Sequence, residues 1–238
     1  MFKARFLALA LSALPISSAA QCRQALALGL DVSGSVDLRE YRLQMDGVVA
    51  SLNDPEIVQI LLAMPSAPIR LMIYEWSGPA DQKVLLPWTS ITGLDSITEI
   101  TATLASTQRR EATPGTALGI AMNYGAQKLT EQSGRCWKLT LDISGDGRSN
   151  LGPRPRYVKE KILESDITVN ALVIGSSTLA SRDQRQSEIS QLSSYFRAEV
   201  ISGPDSFVQT ASAFEDYSQA LTQKLKKELE GVVVGRLQ

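Results

Sequence analysis

Asp31, Ser33 and Ser35 place oxygen-bearing side chains at alternate positions of one short segment, DVSGS. The segment directly follows an apolar run, residues 25–30 (ALALGL), whose composition is typical of a strand buried on both faces. Such a strand-to-helix loop can turn one carboxylate and two hydroxyls toward a single point, with Gly34 allowing a tight bend. Mg²⁺ prefers oxygen ligands of this kind. Taken alone, the same residue types are equally well explained by a helix N-cap.

Thr116 and Asp146 offer further oxygen atoms at corresponding places along the chain. Thr116 opens a helical pattern in the segment GTALG, and Asp146 follows an apolar strand pattern in the segment SGDG. Each segment alone is explained by helix capping or by a turn. Ligands of open α/β sheets bind at the carboxyl ends of the strands, so the three segments are expected to meet at one edge.

The chain contains no histidine, which excludes Ser-His-Asp and Cys-His catalysis and imidazole metal sites. A phosphatase of the haloacid dehalogenase type would need a second Asp where Ser33 stands, and a serine hydrolase would need a G-x-S-x-G motif. A catalytic metal would also need a general base beside its bound water. The nearest candidate is Glu75, which we interpret as a solvated or supporting carboxylate. We therefore predict that the protein is not an enzyme.

Apolar strand patterns alternate with helical patterns along the rest of the chain, which is typical of a wound α/β sheet. Strands are predicted at residues 25–30, 69–76, 83–88, 138–143, 167–174 and 198–201. Helices are predicted at residues 36–52, 96–107, 116–129, 157–165, 184–196 and 207–230. Pro87 indicates that the third strand lies at a sheet edge or ends there.

Residues 1–20 have the composition of a secretory signal peptide. Lys3 and Arg5 precede an apolar run at residues 6–16, and small residues close the segment. The run is shorter than the ~20 residues that a membrane-spanning helix needs. We expect residues 21–238 to form a single exported domain, periplasmic or secreted, with 22 basic and 25 acidic residues and a net charge of −3. This charge does not indicate nucleic-acid binding, and no later segment predicts a membrane span.

The set Asp31, Ser33, Ser35, Thr116 and Asp146 resembles the metal-ion-dependent adhesion site of von Willebrand factor type A (VWA) domains. The resemblance extends over almost all of the chain after residue 20, with the motifs in the right order. A closer likeness, to bacterial secreted single-domain VWA proteins of unknown function, rests on the segments YEWSG and DISGDG. It implies a doubly wound α/β fold, with a mostly parallel six-stranded sheet, helices on both faces and one short antiparallel edge strand.

The resemblance also implies the roles of these residues. In VWA domains the first Asp and the two serines coordinate the ion directly or through water, the Thr adds a ligand, and the later Asp usually acts through water. The family commonly has two glycines before that Thr. This chain has Thr113-Pro114-Gly115-Thr116, so Thr113 competes for the role, and we prefer Thr116 because GTALG matches the family pattern.

The implied function is metal-dependent binding of an acidic side chain on a protein partner. Two carboxylates and three neutral hydroxyls would leave a bound ion able to accept an acidic ligand from outside. Small hard ligands favour Mg²⁺, with Mn²⁺ and Ca²⁺ as alternatives. The competing hypothesis is a structural or assembly role in which the metal only stabilises the loops.

Cys22 and Cys136 are the two cysteines of the chain. In an exported protein an even count invites a disulfide, and two buried free thiols are the alternative. In the fold that the resemblance implies, the first and fourth strands are neighbours. Both cysteines precede these strands, so the resemblance implies a Cys22–Cys136 disulfide at the edge opposite the metal.

Overall fold

A six-stranded sheet forms the centre of the molecule in the computed structural model, which describes residues 22–175 and 181–234. The strands are β1 (Cys22–Asp31), β2 (Ile69–Trp76), β3 (Gln82–Ile91), β4 (Cys136–Gly145), β5 (Ile167–Ile174) and β6 (Val208–Ala211). Their order is β3-β2-β1-β4-β5-β6, with β3 antiparallel to β2 and the other pairs parallel. This confirms the predicted fold class, with a longer edge strand of 10 residues. The predicted signal peptide lies outside the described residues.

Helices cover both faces of the sheet. They are α1 (Leu38–Leu52), α2 (Pro55–Leu62), α3 (Leu94–Ser106), α4 (Leu118–Thr130), α5 (Pro155–Ile162), α6 (Arg182–Glu199) and α7 (Tyr217–Val234). Side-chain caps define where the first two helices begin. Asp37 and Glu40 form a capping box on α1, and Asp54 caps α2. Among these helices, none is long and apolar enough to cross a membrane.

Alternate residues of the central strand β1 contribute to two separate hydrophobic cores. Leu26, Leu28 and Leu30 belong to the core that includes α1 and α7, whereas Ala25 and Ala27 belong to the core under α4. Every residue of β1 is buried, as the apolar run at residues 25–30 predicts for the middle of the strand. The burial of Arg23, Gln24 and Asp31 does not follow from that pattern. The strand is therefore held from both sides, and its last residue has a fixed position at the carboxyl edge of the sheet.

The predicted sixth strand at residues 198–201 is wrong. The helix α6 continues to Glu199, and the sixth strand lies at Val208–Ala211, inside the region predicted as the last helix. Gly203, with a φ of 88°, turns the chain back, and the Phe207 N–H donates to Asn170 Oδ1 at 3.0 Å. These contacts align β6 with β5, so the last helix begins only at Tyr217.

Cys22 and Cys136 form the disulfide that the resemblance implies. The two residues are register partners at the first pairing of β1 with β4, with their Cα atoms 4.6 Å apart. The covalent link therefore joins the amino-terminal ends of the two strands whose carboxyl ends carry Asp31 and Asp146.

Candidate metal centre

The loop after β1 brings its three predicted oxygen-bearing side chains together. Asp31 is the last residue of β1 and is fully buried. Its Oδ1 accepts a hydrogen bond from the Ser33 N–H at 2.8 Å, and the Ser33 and Ser35 hydroxyls lie 3.2 Å apart. Gln44 of α1 donates to the Asp31 carbonyl at 3.1 Å. Both the strand and the following helix therefore position this loop.

Asp146 joins the same cluster from the neighbouring strand. The Ser35 hydroxyl donates to Asp146 Oδ1 at 2.8 Å, which links the loops after β1 and β4. Gly145 lies beside the buried carboxylate, where a Cβ atom would stand only 3.3 Å from Asp31 Oδ2. A larger residue at 145 would crowd this oxygen.

Thr116 lies in a loop that contacts both of the others. Its N–H donates to Asn150 Oδ1 at 2.8 Å, and its carbonyl accepts from the Asn150 N–H at 2.9 Å. On the other side, the Gly34 N–H donates to the Pro114 carbonyl at 2.9 Å. A Cβ on Gly34 would lie 2.7 Å from the Pro114 Cβ, and Gly34 has no positive φ. The missing Cβ therefore permits close approach of two loops. Gly34 also lies in the predicted bend, which the Val36 N–H closes by donating to the Ser33 carbonyl at 3.1 Å.

Thr113, the competing candidate, is engaged elsewhere. Its N–H donates to Asp81 Oδ2 at 3.0 Å, and its side chain packs against Gly78. Thr113 is exposed, whereas Thr116 is buried. Thr116 is thus joined through its backbone to the loop that follows Asp146, and its role as a ligand stays a prediction.

Within the described residues, the two carboxylates of the cluster have no positive partner. Among the described residues, none forms an ion pair with Asp31 or Asp146, and the buried Asp31 Oδ2 has no hydrogen-bond partner. Burial and then the charge of Asp146 raise the pKa of Asp31 to about 8. Burial also raises the pKa of Asp146, and the Glu40 carboxylate adds to the rise. Loss of hydration without a compensating charge is costly for a carboxylate.

This donor set fits a hard divalent cation. The described part of the chain contains no group of three or more His, Cys, Asp or Glu side chains suited to a metal, so the site combines two carboxylates with neutral hydroxyls. A cation at Asp31 Oδ2 would supply the positive charge that the chain does not. Ser35 and Gly34 are exposed, so a ligand from solution can reach this edge.

Arg109 supports the loop that follows β1, and sequence analysis did not predict this contact. Its guanidinium donates to the carbonyls of Val32 and Ser33 at 3.2 and 3.3 Å. These carbonyls lie within the DVSGS segment, so the long loop before α4 also fixes the loop after β1. The sequence gives no periodic signal for such a contact, because it joins positions 76 and 77 residues apart.

Glu75 is a supporting residue and is not solvated. It is 1% exposed, and its Oε1 accepts from the Tyr41 hydroxyl at 2.5 Å. Its Oε2 lies 3.4 Å from Arg110 Nε in an ion pair. Burial, together with Glu75, raises the pKa of Tyr41 above its usual value, so the phenol remains a donor. Both carboxylate oxygens have partners, which argues against a free general base at this position.

Solved structures with a similar fold include a von Willebrand factor type A protein, a pilus adhesin and a matrix protein of the mussel byssus. The chain matches proximal thread matrix protein 1 of the mussel byssus with a TM-score of 0.60 and 16% identity over 88% of this chain and 49% of that one. That structure is described as having zinc in its metal-ion-dependent adhesion site (MIDAS) motif. It matches the pilus adhesin SpaC of Lactobacillus rhamnosus GG with a TM-score of 0.60 and 13% identity over 89% and 30%. It matches a von Willebrand factor type A protein of Catenulispora acidiphila with a TM-score of 0.57 and 11% identity over 87% of this chain and 43% of that one.

At these identities the likeness shows the fold alone, and the chain spans less than half the length of each of these three proteins. No curated protein matches the chain by sequence. The family model described as "Protein of unknown function (DUF1194)" matches residues 21–233 of the 238. The chain therefore has a VWA-like α/β fold and belongs to the DUF1194 family.

Proposed function

We propose that this protein binds a divalent metal ion through Asp31, Ser33, Ser35, Thr116 and Asp146. The observation that carries the proposal is the Asp31 carboxylate, which is fully buried, next to a second acid, and has one oxygen without a hydrogen-bond partner in the described chain. Mg²⁺ is the ion we expect, because every donor is an oxygen, and Mn²⁺ and Ca²⁺ are the alternatives.

The bound ion would capture an acidic group of a protein partner. Two carboxylates and three neutral hydroxyls do not over-neutralise a divalent ion, so it keeps an affinity for a further carboxylate. The exposed Ser35 and Gly34 leave the site open on the solvent side. One fold neighbour is named as a pilus adhesin, which supports an adhesive role here only as an analogy of fold.

We also propose that the protein acts outside the cytoplasm, in the periplasm or after secretion. The Cys22–Cys136 disulfide supports this, since disulfides persist in oxidising compartments. The composition of residues 1–20 supports it independently, because it has the pattern of a secretory signal.

A purely structural role for the metal is the competing function. The three loops are already joined by backbone hydrogen bonds between Gly34 and Pro114 and between Asn150 and Thr116. These hydrogen bonds join the loops without the ion, which favours the binding role.

Titration calorimetry with Mg²⁺ and Mn²⁺ tests the metal site. We expect binding by the wild type and none by the Asp31→Ala, Asp146→Ala double variant, with the fold unchanged by circular dichroism. The matched control is Asp95→Ala, Asp166→Ala, which removes two exposed carboxylates near the opposite edge and should leave binding intact. Unchanged titration of the Asp31, Asp146 variant, or no titration of the wild type, would contradict the proposal. A Mg²⁺-dependent pull-down with the same variants then tests the partner.

A further inference from the structure

A cleft of about 480 Å³ lies beside the metal centre, between the loop that follows β4 and the end of α6. We call it the basic cleft, and its lining includes Arg148, Asn150, Arg154, Tyr195 and Glu199. Its two arginines and its tyrosine were not among the predicted site residues.

The charge of the basic cleft is positive. Glu199 lines it but already forms an ion pair with Arg156, outside the cleft lining. Within the described residues, neither Arg148 nor Arg154 forms an ion pair. Both arginines are exposed, so their donors are available to a ligand.

Arg148 is held in place before any ligand binds. Its guanidinium lies over the Tyr195 ring, 5.3 Å from the ring centroid. The Tyr195 hydroxyl in turn accepts a hydrogen bond from the Ser149 N–H at 3.3 Å. A guanidinium stacked on an aromatic ring loses less conformational entropy when it binds a carboxylate than a free side chain would.

The basic cleft and the metal centre share one stretch of chain. Arg148 follows Asp146 by two residues, so their Cα atoms are at most ~7 Å apart. Asn150 lines the cleft and also holds Thr116: its side-chain Oδ1 accepts from the Thr116 N–H, and its own N–H donates to the Thr116 carbonyl. One extended acidic segment can therefore reach both places.

We propose that the basic cleft binds a second carboxylate of the partner whose first carboxylate goes to the metal. The partner would then present an acidic peptide segment with two carboxylates, one for the ion and one for Arg148 and Arg154. A carboxylate forms strong, charge-assisted hydrogen bonds with a guanidinium, frequently two at a time. This inference rests on the proposed function, because the metal provides the first anchor.

Synthetic peptides test the inference in saturating Mg²⁺. One peptide carries a single Glu in a Gly-Ser background, and a series carries two Glu at increasing separation. We expect the wild type to bind the best two-Glu peptide about tenfold more tightly than the single-Glu peptide. In the Arg148→Gln, Arg154→Gln variant that preference should disappear while Mg²⁺ affinity is unchanged. The control Arg135→Gln, Lys161→Gln removes the same charge at exposed positions and should retain the preference.

The outcomes separate the two proposals. A preference that persists in the Arg148, Arg154 variant, or that is absent in a wild type that binds the single-Glu peptide, overturns the basic cleft and leaves the metal-dependent capture standing. Failure of the wild type to bind any of the peptides with Mg²⁺ bound overturns both the cleft and the capture of acidic groups. Failure to bind Mg²⁺ itself overturns the proposed function from its first step.

Discussion

Two pairs of acidic residues in this molecule differ in where their positive charge comes from. Asp142 of β4 and Glu228 of α7 are both 2% exposed, and the fully buried Lys224 lies between them. Its Nζ is 2.5 Å from Asp142 Oδ2 and 2.6 Å from Glu228 Oε1. At the carboxyl edge, Asp31 and Asp146 have no such cation from the described chain.

This difference distinguishes a structural ion-pair network from a proposed binding site. The Lys224 pairings fix α7 against the sheet, and Asn170 of β5 adds a hydrogen bond to Glu228 Oε1 at 2.5 Å. A chain that supplies its own cation closes the site to ions from solution. A chain that omits the cation, as at Asp31 and Asp146, leaves a position for an exogenous one. We therefore expect paired acids to bind a metal here only where the described part of the chain supplies no counter-charge.

Removal of the internal cation should give the largest effect. Lys224→Met leaves Asp142 and Glu228 buried without a positive partner, and we expect a loss of about 3–5 kcal/mol in the free energy of unfolding. Urea denaturation measures this loss. The control is Lys226→Met in the same helix, whose partner Glu56 is largely exposed, and it should cost at most about 1 kcal/mol. A loss below that control would show that the Lys224 pairings contribute little.

The second largest effect should be a pH dependence of stability that comes from Asp142 in the Lys224 network. Burial, and then Glu228, raise the pKa of Asp142 to about 7 despite the opposing effect of Lys224. The folded-state pKa exceeds the unfolded value, so this group's contribution is fully present below ~pH 4 and is lost as the pH rises through ~7.

The test compares the wild type with Asp142→Asn in EDTA, where Asp31 and Asp146 titrate alike in both proteins. From pH 5 to pH 8 the wild type should lose on the order of 1–2 kcal/mol more of its free energy of unfolding than the variant. Urea denaturation at each pH gives both curves. Parallel curves would mean that Asp142 stays ionised throughout, with Lys224 outweighing its burial.

The two regions also differ in how far the sequence predicts them. The five predicted metal ligands lie in short motifs directly after or before regular elements, and parallel strands bring those ends to one edge. The Lys224 network has no such motif. Lys224 and Asp142 are 82 positions apart, and their contact depends on how α7 lies across the sheet, which no local pattern specifies.

The errors in secondary structure have a related cause. The segments AEVI and FVQTA are both short and partly β-branched, and only pairing with β5 selects the second as a strand. The helix α2 was missed, although Asp54 before Pro55 is a recognisable start signal. Packing against the rest of the fold decides such short elements more than propensity does.

The smallest effect we predict concerns the two competing threonines of the loop before α4. Thr116→Val keeps the β-branched shape and removes only the hydroxyl, so we expect Mg²⁺ affinity to fall about tenfold, equivalent to ~1.4 kcal/mol. Thr113→Val should leave the affinity unchanged, because the Thr113 side chain hydrogen-bonds to Asp81. Calorimetry gives both affinities, and melting in EDTA checks that the two variants are equally stable. If Thr113→Val alone weakened Mg²⁺ binding, the loop before α4 would have to rearrange on binding the ion, and the carboxyl edge would not be as preformed as the Lys224 network.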